Sequence, residues 1–292
     1  MVLIDLQKAF DTIDHDTFLA KIKCLGFSDD VIKWYKSYLS NRKFSVNIGQ
    51  ENSSVGYLNC GVPQGSILGP LIFLMYVNDM KIAVESCELL LYADDACLVY
   101  TDKNITNVET NLNTDFNSLC DWFIDNKLSI HLGEDKTKSI MFGKAKKVRQ
   151  MRDMNIARGD INIKQYLSVN YLGCILDHDL SGKSMFSHVS GKISGRLKLL
   201  YRKQSFLSFQ LRRLLCNALI QPHFDYASSA WYPNLNKKYK KKIQILQNKC
   251  IRFCLSLGNR QHIGYQEFKD INWLPTKQRY EQNVCTKVHN ID

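Results

Sequence analysis

The sequence lacks the features of membrane-spanning, secreted and low-complexity proteins. Its best apolar run, Ile67–Val77, is only about half the length of a transmembrane helix. No internal repeat, low-complexity linker or signal-peptide pattern is present. The ten cysteines are therefore expected to be reduced, mostly buried thiols. The expected location is intracellular, in either the nucleus or the cytoplasm.

Acidic residues are scarce in the second half of the chain. Residues 144–292 carry 27 Lys and Arg against 9 Asp and Glu, a net charge of +18, whereas residues 1–143 carry 12 against 19, a net charge of −7. A basic half favours a polyanionic partner, so nucleic-acid binding is expected mainly in residues 144–292 and hardly at all in residues 1–143. The alternative is that the basic surface only keeps the protein soluble.

The composition is that of a folded protein. The chain has 292 residues, of which 45% are apolar and 23% are charged, and this excludes disorder. The hydrophobic pattern predicts strands near Met1–Asp5, Glu88–Tyr92, Ala96–Tyr100, Ser139–Phe142 and Tyr171–Leu176, with a hairpin over Lys43–Ile48 and Ser54–Leu58. It predicts helices that end at Cys24, begin at Ser28, and cover Leu71–Val84, which is expected to be buried, and Asn107–Lys127. A basic run, Lys144–Arg152, separates the last two strands, and beyond Ser184 the pattern is almost wholly helical.

Two adjacent acids lie between two apolar strands, in the segment Tyr92-Ala93-Asp94-Asp95. Close carboxylates repel each other unless a cation compensates them, and Mg²⁺ prefers oxygen ligands. Asp5 ends another apolar strand, and it would complete a set of three acids if the strands are neighbours. The alternative for Asp94-Asp95 is an ordinary solvated turn, because Asp is common in turns.

Three segments, read together, favour the metal site over the turn. They are Val2–His15 (VLIDLQKAFDTIDH), Gly61–Met80 (GVPQGSILGPLIFLMYVNDM) and Leu91–Asp95 (LYADD). In order and spacing they resemble the central palm motifs of reverse transcriptases, most of all the polymerases of non-LTR retrotransposons. The resemblance continues in Trp122–Phe142, in Tyr171–Cys174 and, more loosely, in Leu219–Trp231.

The resemblance implies a right-hand polymerase of the α+β class. The expected architecture is a palm with an antiparallel sheet over residues 1–180 and an α-helical, thumb-like lobe over residues 181–292. The implied activity is RNA-directed DNA polymerisation, in which a primer 3′-hydroxyl attacks the α-phosphorus of a dNTP. The expected cofactors are two Mg²⁺ ions, with Mn²⁺ as the alternative. The expected partners are an RNA template, a DNA primer and a dNTP, with no membrane; the oligomeric state stays open.

The resemblance also assigns roles to residues near the first acid. Asp5, Asp94 and Asp95 match the catalytic, metal-binding carboxylates, and the carbonyl of Leu6 matches a backbone ligand of the metal. Phe10 matches the bulky residue that stacks under the incoming sugar and excludes a 2′-hydroxyl. Its alternative is an ordinary core phenylalanine.

Further residues match the substrate and primer sites of the family. Gln64 and Gly65 match the floor of the nucleotide pocket. Lys136 or Lys138 would approach the triphosphate, and Lys136 is preferred. Tyr171, Leu172 and Gly173 match the hairpin that grips the primer.

One family feature is missing from the sequence. Only four residues precede Asp5, so the fingers region that precedes the first palm motif is expected to be absent. The alternative function is therefore a truncated, catalytically impaired remnant that binds nucleic acid without polymerising.

Overall fold

The first strand of the chain lies in the middle of a five-stranded sheet. In spatial order the strands are β13 (Gln165–Tyr166), β10 (Lys138–Ile140), β1 (Val2–Ile4), β8 (Asp95–Val99) and β7 (Glu88–Tyr92). All neighbouring pairs are antiparallel except β10 with β13, which is parallel. Val2 and Ile4 are buried, as expected for an apolar strand with a neighbour on both sides.

The structure, a computed structural model, describes residues 1–133, 136–144, 146, 148 and 153–289. These form two units, Met1–Met141 with Arg152–Tyr166, and Phe142–Met151 with Leu167–Asp292. Most of the predicted basic run Lys144–Arg152 lies outside the described residues. The division into a palm over residues 1–180 and a thumb-like lobe over residues 181–292 stays a prediction.

Helices pack on the sheet in the first unit. They are α1 (His15–Cys24), α2 (Asp29–Leu39), α3 (Leu68–Val77) and α4 (Ile105–Asp125). Its remaining strands form short ladders: β2 (Leu6–Gln7) with β9 (Ser129–Ile130), β3 (Arg42–Phe44) with β6 (Gly56–Leu58), β4 (Asn47–Ile48) with β5 (Glu51–Asn52), and β11 (Ile156–Arg158) with β12 (Ile161–Ile163). Phe18, Phe73, Phe116 and Phe123 are fully buried in one core with β1. The predicted hairpin and the first, second and fourth helices are confirmed to within a few residues.

Helix α3 is shorter than predicted and only half buried. It begins at Leu68 because the Ser66 hydroxyl accepts a hydrogen bond from the Gly69 backbone N–H (3.0 Å), and Pro70 is tolerated in a first turn. It ends at Val77, and a separate 3₁₀ turn follows over Met80–Ala83. Ile72, Phe73 and Tyr76 are buried, whereas Leu71 and Leu74 are exposed, so the prediction of a buried helix over Leu71–Val84 was wrong in extent and in burial.

The second unit is mainly helical, as predicted. Its strands are β14 (Ser168–Tyr171) and β15 (Cys174–Asp177), and its helices are α5 (Lys183–Tyr201), α6 (Phe209–Leu219), α7 (Gln221–Asp225), α8 (Ser228–Trp231), α9 (Lys237–Leu255), α10 (Tyr265–Asp270) and α11 (Thr276–His289), with a 3₁₀ turn at Gln204–Phe206. Trp231 and Phe253 are buried in a core that belongs to this unit alone. The predicted strand Tyr171–Leu176 is two strands, because Leu172 and Gly173 have positive φ and form a turn between them.

The chain is thus a mixed α+β protein with a largely antiparallel sheet and packed helices. None of the helices in the described part of the chain is both long and apolar enough to cross a membrane.

The start of α1 makes folding stability depend on pH. The Asp14 carboxylate accepts hydrogen bonds from the Thr17 N–H (2.9 Å) and hydroxyl (2.7 Å), and Lys127 Nζ lies 2.8 Å from it. Burial acts to raise the Asp14 pKa, but the hydrogen bonds from Lys127 and Thr17 outweigh it and lower the pKa from 3.8 to about 2. The unfolded state therefore binds the proton more tightly than the folded state, so the stabilisation is present above pH 3.8 and is lost as the pH falls towards 2.

We expect Asp14→Asn to weaken this loss of stability between pH 4 and pH 2, because asparagine still caps the helix but does not ionise. Asp14→Ala, which removes the cap as well, should lower the free energy of unfolding by about 1 kcal/mol at neutral pH. Urea denaturation at a series of pH values measures both effects. Asp16→Asn removes an exposed charge from the same turn and is the matched control. An equal pH dependence in the parent and Asp14→Asn would contradict this account.

Candidate active site

The sheet brings two of the predicted acids side by side. Strands β1 and β8 are antiparallel, with Ile4 opposite Ala96, so the next position of the register places Asp5 beside Asp95. Directly opposed residues of an antiparallel pair have Cβ atoms about 4.5–5.5 Å apart. Two acids 90 residues apart in sequence therefore meet where the two strands leave the core.

The backbone of Asp5 is held from both sides. Its N–H donates to Thr137 Oγ1 (3.3 Å), and its carbonyl accepts from the His131 N–H (2.8 Å). Thr137 Oγ1 in turn donates to the His131 carbonyl (2.9 Å). Thr137 was not singled out by sequence reasoning, although it lies between the two lysines of the predicted substrate motif. Its buried hydroxyl fixes the peptide that carries the first acid.

The third acid lies in a strained turn. Tyr92 pairs with Asp95, so Ala93 and Asp94 are the two turn residues of the β7–β8 hairpin. Ala93 has a φ of +52°, which costs a non-glycine residue roughly 1–2 kcal/mol. Such strain persists only where the surrounding structure imposes it, and it is concentrated at functional sites. The turn presents Asp94 and Asp95 on an exposed surface.

The three acids interact electrostatically. The pKa of Asp95 is raised from 3.8, first by partial burial and then by the negative charges of Asp94 and Asp5. Lys136 Nζ lies 3.5 Å from Asp5 Oδ2, and both side chains are partly exposed. Such exposed pairs are worth at most about 1 kcal/mol. The positive charge of Lys136 therefore offsets part of the negative charge of the three carboxylates.

The chemistry of these donors suits a hard divalent cation. Mg²⁺ takes carboxylate oxygens, usually one or two from the protein, and completes its shell with water and substrate phosphates. Across the ranges that the structure describes, no three His, Cys, Asp or Glu side chains are already arranged around one point as metal ligands. The carboxylate oxygens of Asp5, Asp94 and Asp95, and the repulsion between them, fit a divalent cation. Leu6, whose carbonyl was assigned to the metal by the resemblance, follows Asp5 directly and pairs with Ile130.

Of the two candidate lysines, Lys136 is the one beside the acids. Lys138 Nζ instead lies 5.2 Å from the centroid of the Tyr166 ring, in a cation–π contact. In the described contacts, therefore, Lys136 lies beside the predicted catalytic residue Asp5, whereas Lys138 lies beside Tyr166.

The predicted nucleotide loop packs against the segment that follows Asp5. The Val62 N–H donates to the Phe10 carbonyl (2.9 Å), and the Gly61 N–H donates to the Ile13 carbonyl (2.7 Å). Gln64 Nε2 donates to Asp11 Oδ1 (2.9 Å). Two of the three palm motifs are thereby joined by hydrogen bonds.

Sequence reasoning missed two residues that hold this loop. Asp11 orients the amide of Gln64, and His15 Nε2 donates to the Gly61 carbonyl (2.8 Å). Both lie inside the first motif among several other polar residues, so nothing in the sequence sets them apart.

The Phe10 ring contacts the core. Its centroid lies 4.8 Å from that of Phe73, and the side chain is half-buried. This contact is what a packing residue makes. The role of Phe10 as a sugar gate stays a prediction.

The predicted primer-gripping residues lie in the second unit. Tyr171, Leu172 and Gly173 form the tip of the β14–β15 hairpin, with φ values of +48° at Leu172 and +75° at Gly173. The Tyr226 hydroxyl donates to the Leu172 carbonyl, and a Cβ atom on Gly173 would lie 3.3 Å from that hydroxyl. Tyr226 belongs to the segment Leu219–Trp231, so two segments singled out in the sequence meet here.

The site thus contains a carboxylate pair on adjacent strands, a third acid in a hairpin turn, and a loop at Gly61 that is hydrogen-bonded to the segment after Asp5. The family described as reverse transcriptase (RNA-dependent DNA polymerase) matches residues 1–176. The chain belongs to this family.

Named relatives come from insect mobile elements. The chain is 26% identical over 261 residues to a probable RNA-directed DNA polymerase from transposon BS of Drosophila melanogaster, covering 86% of this chain and 28% of the relative. It is 27% identical over 259 residues to the RNA-directed DNA polymerase from mobile element jockey of Drosophila funebris, covering 85% and 27%. It is 24% identical over 241 residues to a Pol polyprotein from retrotransposable element R1 of Nasonia vitripennis, covering 78% and 69%. The chain spans about a quarter of the length of the first two.

Gly61 offers a direct test of the loop packing. Its φ is +78°, and a Cβ atom there would lie 2.6 Å from the Asp11 carbonyl oxygen. We expect Gly61→Ala to lower the free energy of unfolding by more than the roughly 1–2 kcal/mol of left-handed strain alone, because the loop must also move off the first motif. Gly26→Ala is the matched control, since Gly26 has a φ of +85° and open space around it. Urea denaturation of both variants decides the point, and equal losses would show that the close approach is unimportant.

Proposed function

We propose that this chain is the catalytic part of an RNA-directed DNA polymerase of a non-LTR retrotransposon. In this proposal the first unit is the polymerase palm and the second unit includes a helical thumb. The observation that carries the proposal is the placement of Asp5 beside Asp95, where β1 ends and β8 begins, with Asp94 in the adjoining hairpin turn; partial burial and then the charges of Asp94 and Asp5 raise the pKa of Asp95. Family membership and the names of the relatives support the same activity.

The reaction joins a primer 3′-hydroxyl oxygen to the α-phosphorus of a dNTP and releases pyrophosphate. Two Mg²⁺ ions, when bound, would activate the hydroxyl and neutralise the charge that develops on the leaving group. Asp5, Asp94 and Asp95 would hold the ions, and the Leu6 carbonyl would contribute a backbone oxygen. The chain's own contribution is mainly positioning and preorganised charge.

Three groups of the chain are assigned to the nucleotide. Lys136, already beside Asp5, neutralises the departing pyrophosphate or gives it a proton. Gln64 and Gly65 form the floor under the base and sugar, held in place by Asp11. Phe10 limits the space at the 2′ position of the sugar.

The helical unit supplies a surface for the nucleic-acid backbone. His188, Lys192 and Arg196 recur every four residues on α5 and line one shallow groove with Gly191 and Gly195, where a Cβ atom would meet open space. The pKa of nearby His223 is lowered, first by burial and then by the charges of Arg196, His188 and Lys192. A groove lined by several cationic side chains favours an anionic ligand, and a phosphodiester backbone supplies one.

Asp95→Asn tests the metal site. It keeps the shape of the side chain but removes one charge, so we expect primer extension on an RNA template with Mg²⁺ and dNTPs to fall at least about a hundredfold, since even outer partners of metal ligands are worth about 10- to 100-fold. Mg²⁺ should raise the unfolding temperature of the parent but not of the variant, because a bound ligand stabilises only the state that binds it.

Asp125→Asn, an exposed acid on α4, is the control and should behave as the parent in both assays. An equal Mg²⁺ response in Asp95→Asn and the parent would contradict the metal assignment. Binding of a primed template with an Mg²⁺ response but no extension would favour the alternative, a nucleic-acid-binding remnant.

Phe10→Val tests the sugar gate. If the ring excludes a 2′-hydroxyl, the smaller side chain should raise the incorporation of ribonucleotides relative to deoxyribonucleotides. The variant should also lose about 1–2 kcal/mol of stability, because the contact with Phe73 is lost. Val62→Ala, a buried truncation in the nearby loop, controls for the packing loss. An unchanged discrimination ratio with the same loss of stability would leave Phe10 as a core residue only.

A further inference from the structure

The turn of the β14–β15 hairpin is strained. Leu172 and Gly173 are its two turn residues, and their φ values are +48° and +75°. Asparagine and glycine usually occupy the two positions of such a turn, because they adopt positive φ most readily. Leucine does so only at a cost in free energy, since its Cβ atom lies too close to the next carbonyl oxygen. Strain of this kind persists only where neighbouring residues impose it, and it is concentrated at functional sites.

Tyr226 is the neighbour that contacts both turn residues. Its hydroxyl donates to the Leu172 carbonyl, and a Cβ atom on Gly173 would lie 3.3 Å from that hydroxyl and 3.4 Å from the ring atom Cε1. Tyr226 is 53% exposed, so water competes for this hydrogen bond and the bond adds little to folding stability. The contact instead fixes the direction of one peptide group, the one that joins Leu172 to Gly173.

The backbone of Tyr226 is itself held in place. Its carbonyl accepts a hydrogen bond from Nε1 of the buried Trp231 indole (3.0 Å). The preceding residue, Asp225, accepts from Arg279 Nε (2.9 Å) and Nη2 (2.8 Å), which joins α7 to α11. The following residue, Ala227, has a φ of +48° and forms a second strained corner. The Tyr226 hydroxyl therefore lies at a fixed position beside the hairpin.

The base of the hairpin is fixed to α5. Asp177, the last residue of β15, is buried, and its Oδ2 accepts hydrogen bonds from the Ser181 hydroxyl and from the Ser184 N–H, both at 3.2 Å. Ser184 lies in the first turn of α5. The hairpin is therefore held at its base by Asp177 and at its turn by Tyr226.

We propose that Tyr226 is a positioning residue that holds the turn at Leu172 and Gly173 in the conformation that binds the end of the primer. Because a peptide group is planar and trans, fixing the Leu172 carbonyl also fixes the Gly173 N–H, which lies on the opposite side of the peptide and faces away from the Tyr226 hydroxyl. A backbone N–H held in one direction is a hydrogen-bond donor for a nucleic-acid strand. The proposal rests on the proposed function for the identity of the ligand, since the primer-gripping role of the hairpin comes from the family resemblance.

The test uses two RNA–DNA duplexes of equal length, each closed at one end by a hairpin loop and carrying an RNA overhang of the same length at the other. One has a recessed DNA 3′ end, which is the primer end, and the other has a recessed DNA 5′ end. Tyr226→Phe removes only the hydroxyl, so we expect it to weaken binding of the first duplex by the full chain about fivefold, the effect of one hydrogen bond, and to leave binding of the second unchanged. Fluorescence anisotropy without Mg²⁺ and dNTPs measures both affinities independently of the catalytic acids.

Tyr201→Phe is the matched control. It removes another tyrosine hydroxyl of the same unit that donates to a backbone carbonyl, that of Lys249 (3.3 Å), and it should change the binding of neither duplex. Leu172→Asn provides a rescue, because asparagine adopts positive φ more readily than leucine. In this background the turn no longer depends on the hydroxyl, so Tyr226→Phe should weaken binding of the primer-end duplex by less than about twofold.

The same loss of affinity on both duplexes, or no loss on the primer-end duplex, would overturn the proposal. An undiminished loss in the Leu172→Asn background would also overturn it, because Tyr226 would then contact the nucleic acid directly and not act through the turn. A parent chain that binds both duplexes equally would instead contradict the primer site of the proposed function, and with it the ligand on which this proposal rests.

Discussion

Repulsion between three carboxylates is the constraint around which the first unit is organised. At about 4 Å two unit charges interact with roughly 1 kcal/mol in water and about 4 kcal/mol near a protein surface. The fold resists this repulsion by fixing the backbones rather than the side chains. Thr137 and His131 hold the peptide of Asp5, and the register with β8 holds Asp95. The carboxylates stay partly exposed, and partial burial together with the charges of Asp94 and Asp5 raises the pKa of Asp95.

The same repulsion gives a physical reason for the hydrogen bonds that hold the loop at Gly61 against the segment after Asp5. A site whose acids repel each other is stabilised by neighbouring segments that are held in place. Five hydrogen bonds join the segment after Asp5 to the loop at Gly61, and they are donated by Cys60, Gly61, Val62, Gln64 and His15. The close approach of Gly61 to Asp11 allows no side chain there. Asp14, near the end of the same motif, caps α1, so the motif leads directly into the helix that packs on the core.

Sequence patterns predicted the parts of this site that depend on the order of elements. An apolar strand ending in Asp5 and a hairpin carrying Asp94 and Asp95 could be located because alternation, turn residues and the spacing of the motifs are local signals. The contacts of Thr137, Asp11 and His15 could not be predicted, because each depends on which loops meet in space. The end of α3 was missed for a related reason, since the apolar pattern continues past Val77 although the helix stops there. Burial was missed because an apolar run does not show which of its faces is covered.

The net charge of a segment likewise does not show where its charged residues lie in the folded protein. Summed over halves, it predicted that nucleic acid binds mainly to residues 144–292 and hardly at all to residues 1–143, and this stays a prediction. Electrostatic attraction acts over about a Debye length, so it depends on the charges that share a surface and not on those that share a segment. Four cations, Lys33, Lys36, Arg42 and Lys43, lie in a stretch between positions 31 and 50 that contains no acid, whereas Asp5 lies beside Asp95 where β1 ends and β8 begins. The net charge of −7 therefore does not describe the charge at any one place in residues 1–143.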